Sequence, residues 1–281
     1  MRKQPLKLAL SVGFLLALTF TLSCSGNNGN DEGGGSSSSI TGGLSSPSGN
    51  SSNSSVTSIE CSSLPIGIKG KSGTFVDDRD NITYKWVEIG EQTWMAENLN
   101  YRGTEPDTLG KCYNNDLANC EIYGRLYNWV TAMGFPSNSD CKEHSCSGEK
   151  RQGICPDGWH IPYVSDWYVL MEFVDPTYKS FTQPHCAGKK LKAMNGWDDR
   201  SNGETGNGTD DYGFSALPGG FGGEIPLEFV QVGNYGGWWD SYNSGNTAYA
   251  WQMYHSIDGV SFDTYFGYKG SSLHSIRCVK D

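Results

Sequence analysis

The chain has 281 residues, a formal net charge of −10, nine cysteines and 37 glycines, with 36% hydrophobic and 12% aromatic residues. Nine thiols exclude an ordinary cytosolic enzyme, where cysteines stay reduced, and the acidic balance excludes a chain-wide basic footprint for nucleic acid. Aliphatic residues are scarce for this length, so aromatic rings must supply much of the core.

Met1 to Lys7 carries Arg2, Lys3 and Lys7 without an acid, and Leu8 to Leu22 is apolar apart from Ser11, Gly13, Thr19 and Thr21. A basic stretch followed by an apolar one, shorter than the roughly 20 residues of a membrane span, predicts an export signal over residues 1–23. Thr21-Leu22-Ser23-Cys24 resembles the lipobox of bacterial lipoproteins, with Thr21 where Leu is usual. The resemblance implies lipid attachment at Cys24, contact with the membrane through that lipid only, and residence at the outer membrane or cell surface.

With Cys24 set aside, Cys61, Cys112, Cys120, Cys141, Cys146, Cys155, Cys186 and Cys278 remain. An even set in an exported chain predicts disulfides and leaves their connectivity open. Cys141 and Cys146 lie close enough to suggest a metal, but no CxxC pair occurs, and the exported context favours disulfides. Residues 24–63 are dominated by Ser, Gly and Asn and have too little apolar surface to offset the entropy of ordering them. They predict a flexible tether, which for a coil of this length spans about 30 to 36 Å.

Residues 64–281 read as one domain. Thr83 to Ile89 alternates, Gly90-Glu91 suits a type II′ turn, and Gln92 to Met95 predicts the returning strand of a hairpin. Leu126, Trp129, Val130 and Met133 fall on one helical face. Val164, Trp167, Leu170, Met171 and Val174 do the same between Pro162 and Pro176, with Asp166 in the favourable first turn. Phe214 to Leu217, Gly237 to Trp239, Ala248 to Tyr254 and Ile276 to Val279 are predicted strands. A hairpin, two helices and then short antiparallel strands separated by long loops make an α+β fold.

Trp94-Met95-Ala96-Glu97-Asn98-Leu99-Asn100-Tyr101, Tyr123-Gly124-Arg125-Leu126-Tyr127-Asn128-Trp129 and Cys155-Pro156-Asp157-Gly158-Trp159-His160-Ile161-Pro162 follow one another. Then come Gly188-Lys189-Lys190-Leu191-Lys192, Gly213-Phe214-Ser215-Ala216-Leu217-Pro218-Gly219-Gly220, Trp238-Trp239 and Arg277-Cys278-Val279-Lys280-Asp281. In this order they resemble the Fibrobacter succinogenes major paralogous domain family across essentially the whole body. The resemblance extends more distantly to the C-type-lectin-like fold of formylglycine-generating enzymes, and it implies the pairs Cys155–Cys278 and Cys112–Cys120. Cys141–Cys146 and Cys61–Cys186 are then left by elimination. The chain departs from the family at Asp240-Ser241-Tyr242, where Ser and Thr are usual, and at Tyr163, where a capping Ser or Thr is usual.

A lectin-type calcium site needs several convergent oxygens. Asp198, Asp199, Asp210 and Asp211 match the pattern loosely and read better as solvated loops. A formylglycine-generating enzyme needs a reactive thiol pair near the last strand, and only Cys278 lies there. His160, a possible general base, reads better as a buried histidine satisfied by the backbone. Gly67-Ile68-Lys69-Gly70-Lys71-Ser72 is two residues too short for a phosphate loop, and Gly203, Gly206 and Gly208 lack the lysine; both segments read as turns.

What remains is the aromatic richness of the final third, where an apolar ring face can stack on a sugar and a polar edge can hydrogen-bond. Tyr235, Trp239 and Tyr242, set among Gly and Asn, are the expected exposed ligand-binding residues. The expectation is a lipid-anchored, non-catalytic module without metal or cofactor that binds glycan or plant-fibre polysaccharide. A protein-binding or envelope-structural module is the alternative, and a formylglycine-generating-like enzyme a minor one.

Overall fold

A computed structural model of the chain describes residues 61–63, 65–104, 109–135, 150–180, 185–224, 227–263 and 268–281. The predicted signal, Cys24, nearly all of the tether and the expected Cys141–Cys146 pair lie outside the described residues.

The first sheet opens with β1 (Ser72–Asp77), β2 (Ile82–Ile89) and β3 (Gln92–Met95). Between β2 and β3, Gly90 takes φ +61° while Glu91 does not take a positive φ, as the predicted turn requires. Next comes α1 (Leu117–Tyr123), capped where Asp116 Oδ1 accepts from the Ala118 amide at 3.0 Å. It buries only Cys120 among its seven residues, so no periodic apolar face announced it.

The helix expected from Leu126 to Met133 is shorter. It is α2 (Trp129–Ala132), because Asn128 caps it by accepting from the Thr131 amide at 2.8 Å. Leu126 instead pairs in an isolated bridge with Lys111. After β4 (Trp159–His160), α3 (Val164–Val174) follows the prediction, with the Tyr163 amide donating to Asp166 Oδ2 at 2.8 Å. A further short helix, α4 (Ala187–Leu191), brings the α-helices among the described residues to four.

The second sheet uses β5 (Gly219–Glu224), β6 (Leu227–Val232), β7 (Tyr235–Ser244), β8 (Thr247–Tyr254), β9 (Ser261–Asp263) and β10 (Ser272–Leu273). Its order is β10-β5-β7-β8-β9, with β6 on β5 and a parallel pairing of β5 with β7. The last strand, β11 (Val279–Lys280), returns to the first sheet, whose order is β1-β2-β3-β11-β4. The fold is therefore α+β with mostly antiparallel sheets. Phe214 to Leu217 does not form a strand: Gly213 and Ser215 take φ of +75° and +52°, which breaks extended backbone, and only Ala216 makes a bridge. Of Ile276 to Val279, only Val279 is in a strand.

Successive strand residues point to opposite faces, and here both faces are covered. Met95 and Trp239 enter one core with Tyr127, Trp129 and Trp159, while their neighbours Trp94 and Trp238 enter another with Trp167, Phe214 and Trp251. Three disulfides close among the described residues: Cys61–Cys186, Cys112–Cys120 and Cys155–Cys278.

The residues that carried the family resemblance meet at Asn98. Its Oδ1 accepts from Trp238 Nε1 at 2.8 Å and from Arg277 Nε and Nη2 at 3.1 and 2.7 Å, and its Nδ2 donates to the Tyr123 carbonyl at 2.8 Å. Three distant segments are joined there by one buried amide.

Candidate binding surface

The aromatic residues of β7 and β8 divide by what covers them. Trp239 is fully buried; its Nε1 donates to the Tyr127 carbonyl at 2.6 Å and its ring meets the edge of His274 at 4.4 Å. Tyr235 is also fully buried, against Tyr254 and Phe221, with ring centroids 5.2 and 5.3 Å away. Both corrections to the expected exposure have one cause: β7 is packed on both faces, so neighbouring Gly and Asn say nothing about solvent there. Tryptophan as a whole is withdrawn into the cores, since eight of nine are buried and only Trp86 keeps partial exposure.

Tyr242 is different. The register of β7 with β8 shifts between Trp239 and Asn243, and this irregularity brings Tyr242 beside Tyr249, with centroids 5.0 Å apart. Tyr249 in turn stacks on Phe262 of β9 at 4.7 Å and 21°. On the other side Tyr163, at the start of α3, meets Tyr242 edge-on at 6.1 Å. Four half-buried rings, Tyr163, Tyr242, Tyr249 and Phe262, thus form one continuous row across three strands and a helix start. The Tyr242 and Tyr249 hydroxyls make no hydrogen bond among the described residues. Tyr249 lies in a strand that the sequence predicts; nothing in the sequence points to Phe262.

The row is held from below. The Ser241 amide donates to the Pro162 carbonyl at 2.9 Å, tying β7 to the entry of α3. Asp240 is fully buried; its Oδ1 accepts from the Tyr242 amide at 2.7 Å and its Oδ2 from Trp251 Nε1 at 2.8 Å. Burial pushes its carboxyl up from 3.8 to about 7, against the lowering effect of those two bonds.

That shift has a sign. Between about pH 4 and pH 7 the folded state holds a proton at Asp240 that the unfolded state has released, so stability falls as pH rises through this window. The loss across it is at most about 4 kcal/mol. An Asp240→Asn variant is expected to flatten that part of the stability–pH profile, measured by urea unfolding at several pH values. An unchanged profile would refute this account of Asp240.

The other singled-out residues serve the scaffold. His160 is buried, with Nδ1 2.9 Å from Asp281 Oδ1 and Nε2 3.3 Å from Asp166 Oδ2. Its partners are carboxylates and not the expected backbone groups. Asp210 accepts from the Ser215 amide and hydroxyl, each at 2.7 Å, and Asp211 accepts from the Gly67 amide at 2.9 Å. Among the described residues, no group of three or more His, Cys, Asp or Glu is placed to hold a metal ion. The segment from Gly67 to β1 forms no turn, and its first amide is already committed to Asp211.

The structure defines a disulfide-braced α+β domain with an aromatic row on the β7–β9 part of its second sheet. The chain belongs to the Fibrobacter succinogenes major domain family, whose pattern matches residues 87–280. No curated protein and no solved structure matches it.

Proposed function

We propose that this domain is a non-catalytic binding module of C-type-lectin-like build, held at the outer membrane or cell surface by a lipid on Cys24. Its ligand is a glycan or plant-fibre polysaccharide, taken on the row Tyr163, Tyr242, Tyr249 and Phe262. The observation that carries this reading is the row itself: contiguous, half-exposed rings whose two central hydroxyls are unengaged among the described residues. Such rings offer apolar faces and polar edges together, at little entropic cost on binding. The closure of Cys278 with Cys155 supports the non-catalytic reading, since it removes the thiol that formylglycine-type chemistry would use.

Retention of the full chain on insoluble cellulose, xylan and pectin tests the proposal. Tyr242→Ala and Tyr249→Ala are each expected to weaken retention about tenfold, or about 1.4 kcal/mol. A Cys24→Ser control in the same cells is expected to leave the membrane fraction. Equal retention of wild type and variants, or none by wild type, would overturn glycan binding at the row and turn attention to a protein partner. A Cys24→Ser protein that stays with the membrane would overturn the anchor.

A further inference from the structure

We propose a second binding site on this domain, a cleft of mixed polar and apolar lining that takes a neutral, hydroxyl-rich molecule of mono- to trisaccharide size. It shares no residue with the aromatic row. The cleft encloses about 730 Å³ between the β1–β2 hairpin, α1 and the loops around residues 193–195 and 210–217. That volume lies within the range of small-molecule sites.

Its lining specifies the ligand's chemistry. The pairing of β1 with β2 sets Thr74 opposite Lys85 and Ser72 opposite Val87, so Ser72, Thr74, Thr83 and Lys85 share one face of the hairpin. The hydroxyls of Ser72, Thr74 and Thr83 and the amide of Asn195 make no hydrogen bond among the described residues. These groups donate and accept alike, as sugar hydroxyls do.

Formal charge across the cleft is close to balanced. Lys69 and Lys85 line it with Glu97, Glu121 and Asp210, and the Lys85–Glu97 pair is closed at 2.8 Å. The guanidinium of Arg277 lies beneath, bonded to Asn98 Oδ1 at 2.7 Å and to the Ser215 carbonyl at 3.4 Å, both on lining residues. Two lysines thus meet three carboxylates at the lining, with the buried guanidinium behind them, and so small a net charge favours a neutral ligand over a polyanion or a polycation. Two large aliphatic side chains also stand at the cleft, Ile122 at 56% exposure and Met194 at 69%. They supply the apolar contact that the C–H face of a sugar ring requires.

The walls are preformed. Cys112–Cys120 pins α1, and Gly124 at its end has φ +72°; a Cβ there would lie 2.8 Å from Asn98 Cβ. Across the cleft, Asp210 and Ser215 sit at φ +47° and +52°, held by the two bonds between them. Backbone in that region persists only where its surroundings over-determine it. A rigid site loses little entropy on binding.

Calorimetric titration of the full chain with cellobiose, xylobiose and mannobiose, and with digalacturonate as a charged comparison, tests the proposal. At least one neutral disaccharide is expected to bind saturably and more tightly than digalacturonate. Asn195→Ala and the double variant Ile122→Arg, Met194→Arg are expected to weaken it tenfold or more. All three positions are exposed, so thermal unfolding should not change. Tyr242→Ala with Tyr249→Ala should leave this binding intact, which separates the cleft from the aromatic row. Absence of saturable binding by every neutral probe, preference for digalacturonate, or binding indifferent to the cleft variants would each overturn the site. If the double variant loses its fold, Asn195→Ala and Thr74→Val decide the matter.

Discussion

An Asn98→Ala variant is expected to lose about 3 to 5 kcal/mol of stability, because it strips the acceptor from three buried donors at once. Trp238 Nε1 and two nitrogens of Arg277 converge on Asn98 Oδ1. Arg277 is fully buried and stacks over Phe214 at 4.5 Å; burial lowers its pKa, and Asp210 and Glu97 oppose that effect. Its remaining acceptors are the Phe214 and Ser215 carbonyls, so removing Asn98 Oδ1 leaves a buried cation under-satisfied. Asn98→Asp keeps the acceptor but sets a carboxylate oxygen against the Tyr123 carbonyl where the amide donated, and it is expected to cost less than alanine because its charge pairs with the buried guanidinium. Urea unfolding measures both. A loss under about 1 kcal/mol for Asn98→Ala, or an aspartate variant weaker than the alanine one, would show that the network is not what joins these segments.

Paired replacement of Cys155 and Cys278 by alanine is the other large effect. The bond spans 123 residues, and on the chain-entropy estimate a loop of that length contributes about 5 kcal/mol by restricting the unfolded chain. Cys112–Cys120 spans only 8 residues, for which the same estimate is about 2.5 kcal/mol. Removing the long bridge should therefore destabilise the domain about twice as much as removing the short one. It also frees β11, a two-residue strand that holds β3 and β4 in one sheet. Thermal unfolding of the two paired variants compares them directly. Equal losses would mean that the long bridge acts locally and not on the unfolded ensemble.

The cleft and the row differ in how far the chain announces them. Tyr242 is visible as an aromatic in a polar, Gly-rich context, and it does stand half-exposed. The same context surrounds Tyr235 and Trp239, which are buried, because that signal is a property of the neighbours along the chain and not of the layer across from the strand. No local pattern marks the cleft, whose lining comes from β1, β2, α1 and two loops more than 100 residues beyond the hairpin.

Elements with local causes are legible in the chain alone. The hairpin from Thr83 to Met95 follows from alternation and a glycine at the turn, and α3 follows from its apolar period between two prolines. The α+β class and the family are legible for the same reason: both depend on short motifs and their order. Which rings meet solvent and why Phe214 to Leu217 is not a strand are settled only in three dimensions. In both cases the deciding partner is remote along the chain: a second core behind β7, and the guanidinium of Arg277, which takes the Phe214 carbonyl beside the positive φ of Gly213 and Ser215. Burial and hydrogen-bond satisfaction depend on what packs across a gap, and one-dimensional spacing carries no record of that.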